Sequence, residues 1–406
     1  MTKLKQTRQH GLSEWKITRL DECTRIVGGS TPKTSVKEYW DGHICWATPK
    51  DLSELEFPYL EETPRKITEA GLNSCGAEIL PENSVLFSSR APIGHVAINL
   101  VPMATNQGFK SFIPNSEKIE AKFLYHWLCK NRAYFNHLGN GATFKEVSKA
   151  IVSQVEIPLP PIAEQKRIAA ILDKAEELRS LRRKALVELD AIVQSIFLEM
   201  FGDPLKNPNN FPIRKLRELC SHVIDCPHST PIYASEITPY ACVRSSDIQN
   251  SELTFSDTKY IKLEEYKKRI ERGVPQQGDV VYCREGARFG NAALITDDTP
   301  PICLGQRMML FRPEVRKARG EFIWGYLSSP IAYHQALREV GGSASPHINI
   351  RDITAFQIPV PPLDRQCEFA QRISAIKKLK HIQRESLAQL DALFASLQHR
   401  AFQGEL

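Results

Sequence analysis

The string "CSHVIDCPH" at residues 220–228 contains the side chains best suited to binding a metal ion. Cysteine and histidine are the usual zinc ligands, and zinc fingers place them as two close pairs separated by a loop of fixed length. Here the spacing is irregular, and no second cysteine pair follows at finger distance. We therefore predict no metal site on Cys220, His222, Cys226 and His228.

Enzymatic chemistry finds little support elsewhere in the sequence. There is no "GK[ST]" phosphate loop and no G-x-G-x-x-G after a strand-like run. The string "NPNN" at residues 207–210 lacks the aromatic partner of an adenine methyltransferase motif and lies in a linker, so we interpret it as a turn. These observations predict a chain that is not an enzyme, has no catalytic residues and binds no cofactor of its own.

Basic and amide side chains beside aromatic ones point instead to nucleic acid. Arg, Lys, Asn and Gln hydrogen-bond to base edges or hold phosphates. A net charge of +6 permits a nucleic-acid partner without requiring one. The candidate DNA contacts are Lys33, Lys50, Ser89, Arg90, Asn106, Gln107, Lys110 and Lys145 in the first half, and His228, Arg244, Arg284, Arg288, Gln306, Arg307 and His347 in the second.

The elements that carry these residues occur twice. "NSVLFSSRAPIGHVAI" (83–98) matches "GDVVYCREGARFGNAAL" (278–294) with one inserted residue. "FLYHWL" (123–128) matches "FIWGYL" (322–327), and "IPLPPIAEQ" (157–165) matches "IPVPPLDRQ" (358–366). Because the matches follow one another in the same order, the chain is two copies of one unit.

Each copy has a globular head and a helical tail. Proline pairs end an extended segment, because proline fixes its own φ and disfavours helix at the preceding residue. The heads mix short strand-like runs with turns and one helix, which predicts an α/β (α+β) domain on a curved sheet. The predicted domains are head 1 (1–158), helix 1 (159–203), head 2 (204–359) and helix 2 (360–406).

Apolar residues recur at heptad spacing in both tails, including Leu178 and Ile192 in the first and Leu379 and Leu393 in the second. A polar residue interrupts both stripes at the same level, which predicts a coiled coil between the tails with a polar layer that sets the register. The alternative is that each stripe packs on its own head. The candidate coiled-coil and subunit-docking residues are Gln165, Ile168, Leu178, Arg182, Leu189, Gln366, Ile376, Gln383 and Leu390.

Composition excludes other classes of protein. A hydrophobic content of 42% and a charged content of 25% are typical of a globular protein rather than a disordered one. There is no run of eighteen apolar residues and no apolar stretch near the first residue, so we expect neither a membrane span nor a secretory signal. Ten scattered cysteines favour reduced thiols and a cytoplasmic protein.

With these motifs in this order, the sequence resembles the specificity (S) subunits of type I restriction-modification enzymes. The resemblance rests on "GGSTPKTSVKEYWDGHICWATPKDL", "VLFSSRAPIGHVAI", "EIPLPPIAEQKRIAAILDKAEEL", "MFGDPLKNP" and "QIPVPPLDRQ". One departure is Arg365, which stands where the first copy has Glu164.

The resemblance implies that each head recognises one half of a bipartite, asymmetric site in double-stranded DNA. The two helices would form an antiparallel coiled coil that sets the gap between the half-sites. Two methylation subunits would bind the helical regions and supply S-adenosylmethionine chemistry, and motor-nuclease subunits using ATP and magnesium would join some complexes. Two other hypotheses stay open: a coiled-coil adaptor that binds proteins through both heads, and a self-contained nuclease.

Overall fold

The computed structural model describes residues 15–53, 55, 57–90, 92–140, 145–340 and 346–406. The chain divides into two compact units, the first made of residues 1–183 and 385–406, and the second of residues 184–384. Each unit therefore combines one head with helix segments that are distant in the sequence. The predicted domain boundaries follow the chain, whereas the units combine segments from both of its halves.

The first unit is a mixed α and β structure. Its strands are β1 (Lys16–Arg19), β2 (Thr24–Gly28), β3 (Trp40–Ala47), β4 (Tyr59–Leu60), β5 (Lys66–Ile67), β6 (Val85–Phe87), β7 (Val96–Asn99), β8 (Met103–Thr105), β9 (Lys110–Pro114) and β10 (Glu156–Leu159). Its helices are α1 (Leu20–Cys23), α2 (Pro49–Ser53), α3 (Glu69–Asn73), α4 (Ala121–Lys130), α5 (Arg132–Leu138) and α6 (Lys149–Ser153), followed by the start of α7 (Ile162–Phe201).

These strands form a sheet in the order β2-β9-β6-β7-β4, a second sheet in the order β5-β3-β8, and the pair β1-β10. Helix α4 packs against this head because it is amphipathic. Glu120 caps its start by accepting a hydrogen bond from the Phe123 N–H, and Phe123, Leu124 and Trp127 enter the core.

The pairing of β1 with β10 explains the first proline motif. The strands run antiparallel, with Lys16 opposite Leu159 and Arg19 opposite Glu156. Pro158 is tolerated because β10 has a partner strand on one side only. The head therefore begins and ends at the same place, and α7 starts directly after Pro161.

The second unit repeats this plan. Its strands are β11 (Ile213–Lys215), β12 (Cys220–Asp225), β13 (Ala241–Val243), β14 (Ile248–Gln249), β15 (Glu252–Leu253), β16 (Lys259–Tyr260), β17 (Val280–Cys283), β18 (Ala292–Leu294), β19 (Ile302–Leu304), β20 (Met308–Pro313) and β21 (Gln357–Pro359). Its helices are α8 (Leu263–Arg269), α9 (Gly320–Leu327), α10 (Pro330–Glu339), α11 (Ile350–Thr354) and α12 (Leu363–Ala401), the last of which ends in the first unit.

The sheet orders confirm the predicted duplication. The order β12-β20-β17-β18 corresponds to β2-β9-β6-β7, β16-β13-β19 corresponds to β5-β3-β8, and β11-β21 corresponds to β1-β10. In both heads the middle strand of the three-stranded sheet pairs parallel with one neighbour and antiparallel with the other. The second proline motif lies on β21, directly before α12.

Helix segments pack antiparallel within each unit. In the first unit, Arg167 donates to the Leu406 carbonyl at 2.6 Å, and Arg179 Nε lies 2.6 Å from Asp391 Oδ1. Residue numbers therefore increase along α7 while those of the contacted residues decrease, which is the antiparallel arrangement. In the second, Arg365 donates to the Met200 carbonyl at 3.0 Å. The departure at Arg365 thus places a cation at the C-terminal end of α7, where the helix dipole favours it.

The buried face of the helices differs from the predicted stripe. Leu178 and Ile192 are exposed, and so are their counterparts Leu379 and Leu393. The reason is that the helices pack on the heads as well as on each other, so both interpretations of the stripes hold in part. The residues buried instead include Leu172, Val193, Phe197 and Ile373, which belong to the head cores along with Ile168 and Phe369.

Candidate nucleic-acid interface

Three loops of head 1 meet beyond the ends of β6 and β9. The Ser89 N–H donates to the Gly108 carbonyl at 2.7 Å, and the Val147 N–H donates to the Ser89 carbonyl at 2.9 Å. These backbone bonds hold residues 88–90, 106–110 and 145–147 together. We name this group loop cluster 1, and it contains six of the eight DNA contacts predicted for head 1.

Loop cluster 1 carries more positive than negative charge. Glu146 Oε1 lies 3.0 Å from Lys110 Nζ, and its Oε2 lies 3.9 Å from Arg90 Nη1. One carboxylate thus faces two cations, and the exposed Lys145 adds a third. Arg90 is half-buried, which leaves part of its guanidinium in contact with solvent.

Two amides shape the same cluster. Asn106 Oδ1 accepts the Gly108 N–H at 2.8 Å and so tightens the turn. Gln107 Oε1 accepts the Thr31 hydroxyl, which ties the loop after β2, and with it the exposed Lys33, to loop cluster 1. Lys50 follows Pro49, whose ring lies so close to Gly108 that a Cβ there would come within 2.9 Å of it. Lys33 and Lys50 therefore flank the cluster.

Head 2 has a corresponding group, residues 283–285, 305–309 and 346–348, which we name loop cluster 2 and which is held by the same backbone bonds. The Arg284 N–H donates to the Arg307 carbonyl at 3.0 Å, and the Ile348 N–H donates to the Arg284 carbonyl at 3.0 Å. Arg284 is therefore the counterpart of Ser89. Arg90 in turn corresponds to Glu285, because each forms the next β-bridge, with Glu146 and His347 respectively.

Ser89 and Arg284 are corrections to the predicted DNA contacts. Ser89 is fully buried, and its hydroxyl donates to the Gly108 carbonyl at 3.1 Å. Arg284 is also buried; its Nε lies 3.3 Å from Asp225 Oδ1, an ion pair without hydrogen-bond alignment. Their side chains face inward and position loops, so neither is available to touch DNA directly.

Around loop cluster 2, acidic side chains lie beside two histidines and an arginine. His228 Nε2 lies 3.0 Å from Asp225 Oδ2, while Glu285 lies between His347 Nδ1 at 3.5 Å and Arg307 Nε at 3.8 Å. Arg307 adopts a φ of 71°, in the left-handed region that costs a non-glycine residue energy. Strained residues of this kind cluster at functional sites, which makes Arg307 the foremost candidate in head 2.

The remaining candidates of head 2 differ in their surroundings. Arg244 is held by Asp247 at 3.0 Å and donates to the Asp257 carbonyl at 2.5 Å, so its guanidinium caps a turn instead of projecting freely. Its predicted contact with DNA stays a prediction. Gln306 Nε2 donates to the His228 carbonyl at 3.1 Å, and Arg288 is exposed near the end of the β17–β18 connection.

Two features were missed from the sequence. Arg65 stacks on the ring of Trp40, with its Cζ 3.8 Å from the centroid, and adds a cation to the aromatic edge of β3. Glu285 is the acidic counterpart of Arg90. Trp40 is half-buried and Trp46 is buried, and nothing in the sequence indicated that Arg65 would reach the Trp40 ring.

The described residues also bear on the predictions about metal sites and membrane spans. Among those described, no three His, Cys, Asp or Glu side chains converge in a way that would hold a metal ion. Cys220 and Cys226 are buried with free thiols, and His228 is engaged by Asp225. Within the same part of the chain, no helix is both long and apolar enough to cross a membrane.

The predicted docking residues differ in their exposure, from the buried glutamines to Leu178, which is exposed. Gln165 and Gln366 are fully buried where each helix joins its head, so they are not part of a docking surface. Ile168 and Leu189 are buried, and Ile376 packs against the core of the second unit. Arg182, Gln383 and Leu390 are half-buried on the helices.

Exposed leucines and isoleucines repeat on the two helices at an interval of 201 residues. The first apolar row is Leu178, Leu181 and Ile192, and the second is Leu379, Ile382 and Leu393; each is 40–58% exposed. The first unit contains Leu178, Leu181 and Leu393, and the second contains Ile192, Leu379 and Ile382. Apolar exposure repeated in this way is typical of a protein-binding surface.

A duplicated α+β head followed each time by a long helix defines the class of protein, and comparison with known families identifies it. The chain belongs to the family of the type I restriction modification DNA specificity domain, whose model matches residues 12–190 and 214–392. Both copies of the domain are thus present.

Individual relatives agree with this family. The type I restriction enzyme MjaIX specificity subunit of Methanocaldococcus jannaschii is 37% identical over 197 residues, which are 48% of this chain and 46% of that protein. The MjaVIII specificity subunit of the same organism is 20% identical over 94% of this chain and 91% of its own. Thus the first alignment spans about half of each protein.

A solved structure shows the same fold. It is described as "Structural basis underlying complex assembly and conformational transition of the type I R-M system", and it matches over 97% of this chain and 98% of its own with a TM-score of 0.56 at 20% identity.

Proposed function

We propose that this chain is the DNA sequence-specificity subunit of a type I restriction-modification system and acts in the cytoplasm. Each head recognises one half of a bipartite site in double-stranded DNA, through loop cluster 1 or loop cluster 2. The chain itself contributes recognition and no bond-making chemistry.

One observation carries the proposal: the two loop clusters share a backbone arrangement but present different side chains. Arg90 is matched by Glu285, Glu146 by His347, and Gly108 by Arg307. Guanidinium groups pair with guanine, whereas carboxylates accept from cytosine. Two heads with unlike side chains on like frames suit an asymmetric site with two unrelated halves.

Exchange of one head tests the proposal. Replacing residues 1–158 by those of a relative, in the complex that methylates DNA, is expected to change one half of the methylated sequence. Replacing residues 204–359 instead should change the other half, and it serves as the matched control. Long-read methylation sequencing gives the result; a change in both halves, or in neither, contradicts the proposal.

The helices would set the distance between the half-sites. Within each unit their segments pack antiparallel, and an α-helix adds about 1.5 Å for each residue. Inserting one heptad at matched positions in both helices is expected to lengthen the unrecognised spacer while leaving both half-sites unchanged. An active complex with the original spacer would contradict this role.

The apolar rows offer a binding surface for methylation subunits. Each unit contains three of their six residues, two from one row and one from the other, which suits two copies of one partner. These partners would supply the methyl transfer from S-adenosylmethionine, and motor-nuclease subunits would supply the chemistry that needs ATP and magnesium. The same rows would also serve a coiled-coil adaptor without sequence specificity. Selection of binding sites from random DNA separates the two, because only a specificity subunit enriches a defined bipartite sequence.

A further inference from the structure

The loops that follow β2 and β12 share a tripeptide. Ser30-Thr31-Pro32 in head 1 matches Ser229-Thr230-Pro231 in head 2, and the next residue is Lys33 in one and Ile232 in the other. The match lies at the start of a segment whose later residues differ, so the two heads diverge directly after the proline.

Corresponding contacts hold the two tripeptides in place. Gln107 accepts the Thr31 hydroxyl, and Gln306 Nε2 lies 3.3 Å from Thr230 Oγ1. Each threonine is therefore tied to its own loop cluster by the glutamine at the same position.

The serine carbonyls are held as well, though by different donors. Trp46 Nε1 donates to the Ser30 carbonyl at 3.0 Å, and Arg269 Nη1 donates to the Ser229 carbonyl at 3.3 Å. Pro32 and Pro231 are both buried. With the carbonyl, hydroxyl and ring all fixed, the residue after the proline occupies the same place in each head.

That residue is exposed in both heads, but its chemistry differs. Lys33 is a cation on a flexible stem, whereas Ile232 is 72% exposed and apolar. An exposed isoleucine is ordinary by itself. Its position gives it meaning, because it stands where head 1 has a cation, two residues after the threonine that Gln306 contacts. Lysine donates to guanine O6 and N7, and apolar groups contact the C5-methyl of thymine.

We propose that the residue after the Ser-Thr-Pro tripeptide is a specificity-determining residue in each head. In head 2, Ile232 contacts the methyl group of a thymine in the major groove; in head 1, Lys33 donates to a guanine. This inference rests on the proposed function, since it requires that the loop clusters face DNA bases.

The test uses the full chain with its methylation partners and the DNA site found by methylation sequencing. Each thymine of the half-site assigned to head 2 is replaced in turn by deoxyuridine, which removes only the methyl group. At one position we expect affinity to fall about fourfold, the value of one buried methyl-sized contact. Ile232→Ala should bind thymine and deoxyuridine at that position equally well.

Ile237 provides the control. It is an isoleucine in the same segment, 83% exposed, and it lies five residues beyond Ile232, away from the Ser-Thr-Pro tripeptide. Ile237→Ala should keep the full preference for thymine. Ile232→Lys should alter the methylated sequence in that half-site alone, and Lys33→Ile should do so only in the other half.

The possible results distinguish a failure of the inference about Ile232 from a failure of the proposed function. If every deoxyuridine duplex binds like the original, or if Ile232→Ala keeps the thymine preference, the inference is wrong while the proposed function stands. If the complex shows no sequence preference in any duplex, the proposed function itself is wrong.

Discussion

Gln165 and Gln366, 201 residues apart, make the same hydrogen bonds. The Gln165 amide donates to the carbonyls of Lys118 and Pro160 and accepts the Glu120 N–H, at 2.9–3.0 Å. The Gln366 amide donates to the carbonyls of Lys317 and Pro361 and accepts the Arg319 N–H, at 2.8–3.4 Å. A buried amide thus locks each helix to its own head.

Replacing either glutamine should loosen only the unit that contains it. Gln165→Ala leaves three backbone groups without their partner, so we expect a loss of about 1–3 kcal/mol in the free energy of unfolding. Hydrogen exchange should quicken in β1 and α4 but not in α9, and Gln366→Ala should do the reverse. Gln371→Ala, on an exposed position of α12, is the control. Unchanged exchange in β1 would refute the locking role.

The ion pair of Arg179 with Asp391 recurs as that of Lys380 with Asp190, but the two environments differ. Lys380 is buried and also contacts Glu252 of head 2, whereas Arg179 lies against an Asp391 that is nearly half exposed. Lys380→Met should therefore lower the free energy of unfolding by about 3 kcal/mol, because it leaves carboxylates unpaired in a buried place. Arg179→Met should cost about 1 kcal/mol or less. Equal losses in urea denaturation would contradict this difference.

Acid should weaken both units through two carboxylates. Burial alone would raise the pKa of Glu252, but the charges of Lys380 and Arg384 hold it below its ordinary value. Burial alone would also raise the pKa of Asp173, but the hydrogen bonds and charges of His126 and Lys122 outweigh burial and lower it. A lowered pKa stabilises the fold fully above the ordinary value of about 4 and progressively less as the pH falls towards the native pKa.

The measurement is the thermal unfolding midpoint between about pH 7 and pH 3. Glu252→Gln and Asp173→Asn should differ most from the unmodified protein at neutral pH, and the difference should shrink below about pH 4. A difference that grows on acidification would show that the sign is wrong.

The apolar rows should govern assembly with partner subunits. Leu178→Asp combined with Leu181→Asp should weaken binding of a methylation subunit by at least tenfold, because burying one leucine contributes about 1.5–3 kcal/mol. Val187 is also apolar and is more exposed than either leucine. It lies about 180° around α7 from Leu178, so Val187→Asp is the control. If both variants bind partners alike in ultracentrifugation, the rows are not the docking surface.

Arg307 should show opposite effects on stability and on DNA binding. Glycine accepts a positive φ without strain, so Arg307→Gly should be about 1 kcal/mol more stable than Arg307→Ala. Both should weaken specific DNA binding by about 1–3 kcal/mol if the guanidinium pairs with guanine. A phosphate contact would instead lower the slope of affinity against salt by about one. Arg316→Ala, an exposed cation on the β20–α9 turn, should change neither.

Much of the architecture was predictable, because proline pairs and the spacing of apolar residues report on local backbone structure. Pro160 and Pro161 mark the end of β10, and the helix that follows begins at Ile162 as the motif indicates. The buried face of the helices was not predictable in the same way. Leu178 fits a heptad pattern, yet the face that meets a head is chosen by tertiary packing, which favours Leu172 and Phe197.

The candidate DNA contacts were likewise predictable in part. Residue type drew attention to Arg90, Arg284 and Arg307 alike, because it could not distinguish an exposed arginine from a buried one. Arg284 looked like a base contact because nothing in the sequence indicates that Asp225 lies beside it. The backbone bridges place Glu285, an acidic residue, at the position that Arg90 holds in head 1.

The make-up of the first unit has a consequence for biosynthesis. Phe402 lies 5.4 Å, ring centre to ring centre, from Phe123, and Phe394 and Leu397 pack on the same core. The head translated first therefore cannot close its hydrophobic core until the last helix has left the ribosome. A nascent chain that stalls within α12 would have all the strands of head 2 but would lack residues that complete the core of head 1. Interruption late in synthesis would therefore impair the half of the molecule that is made first.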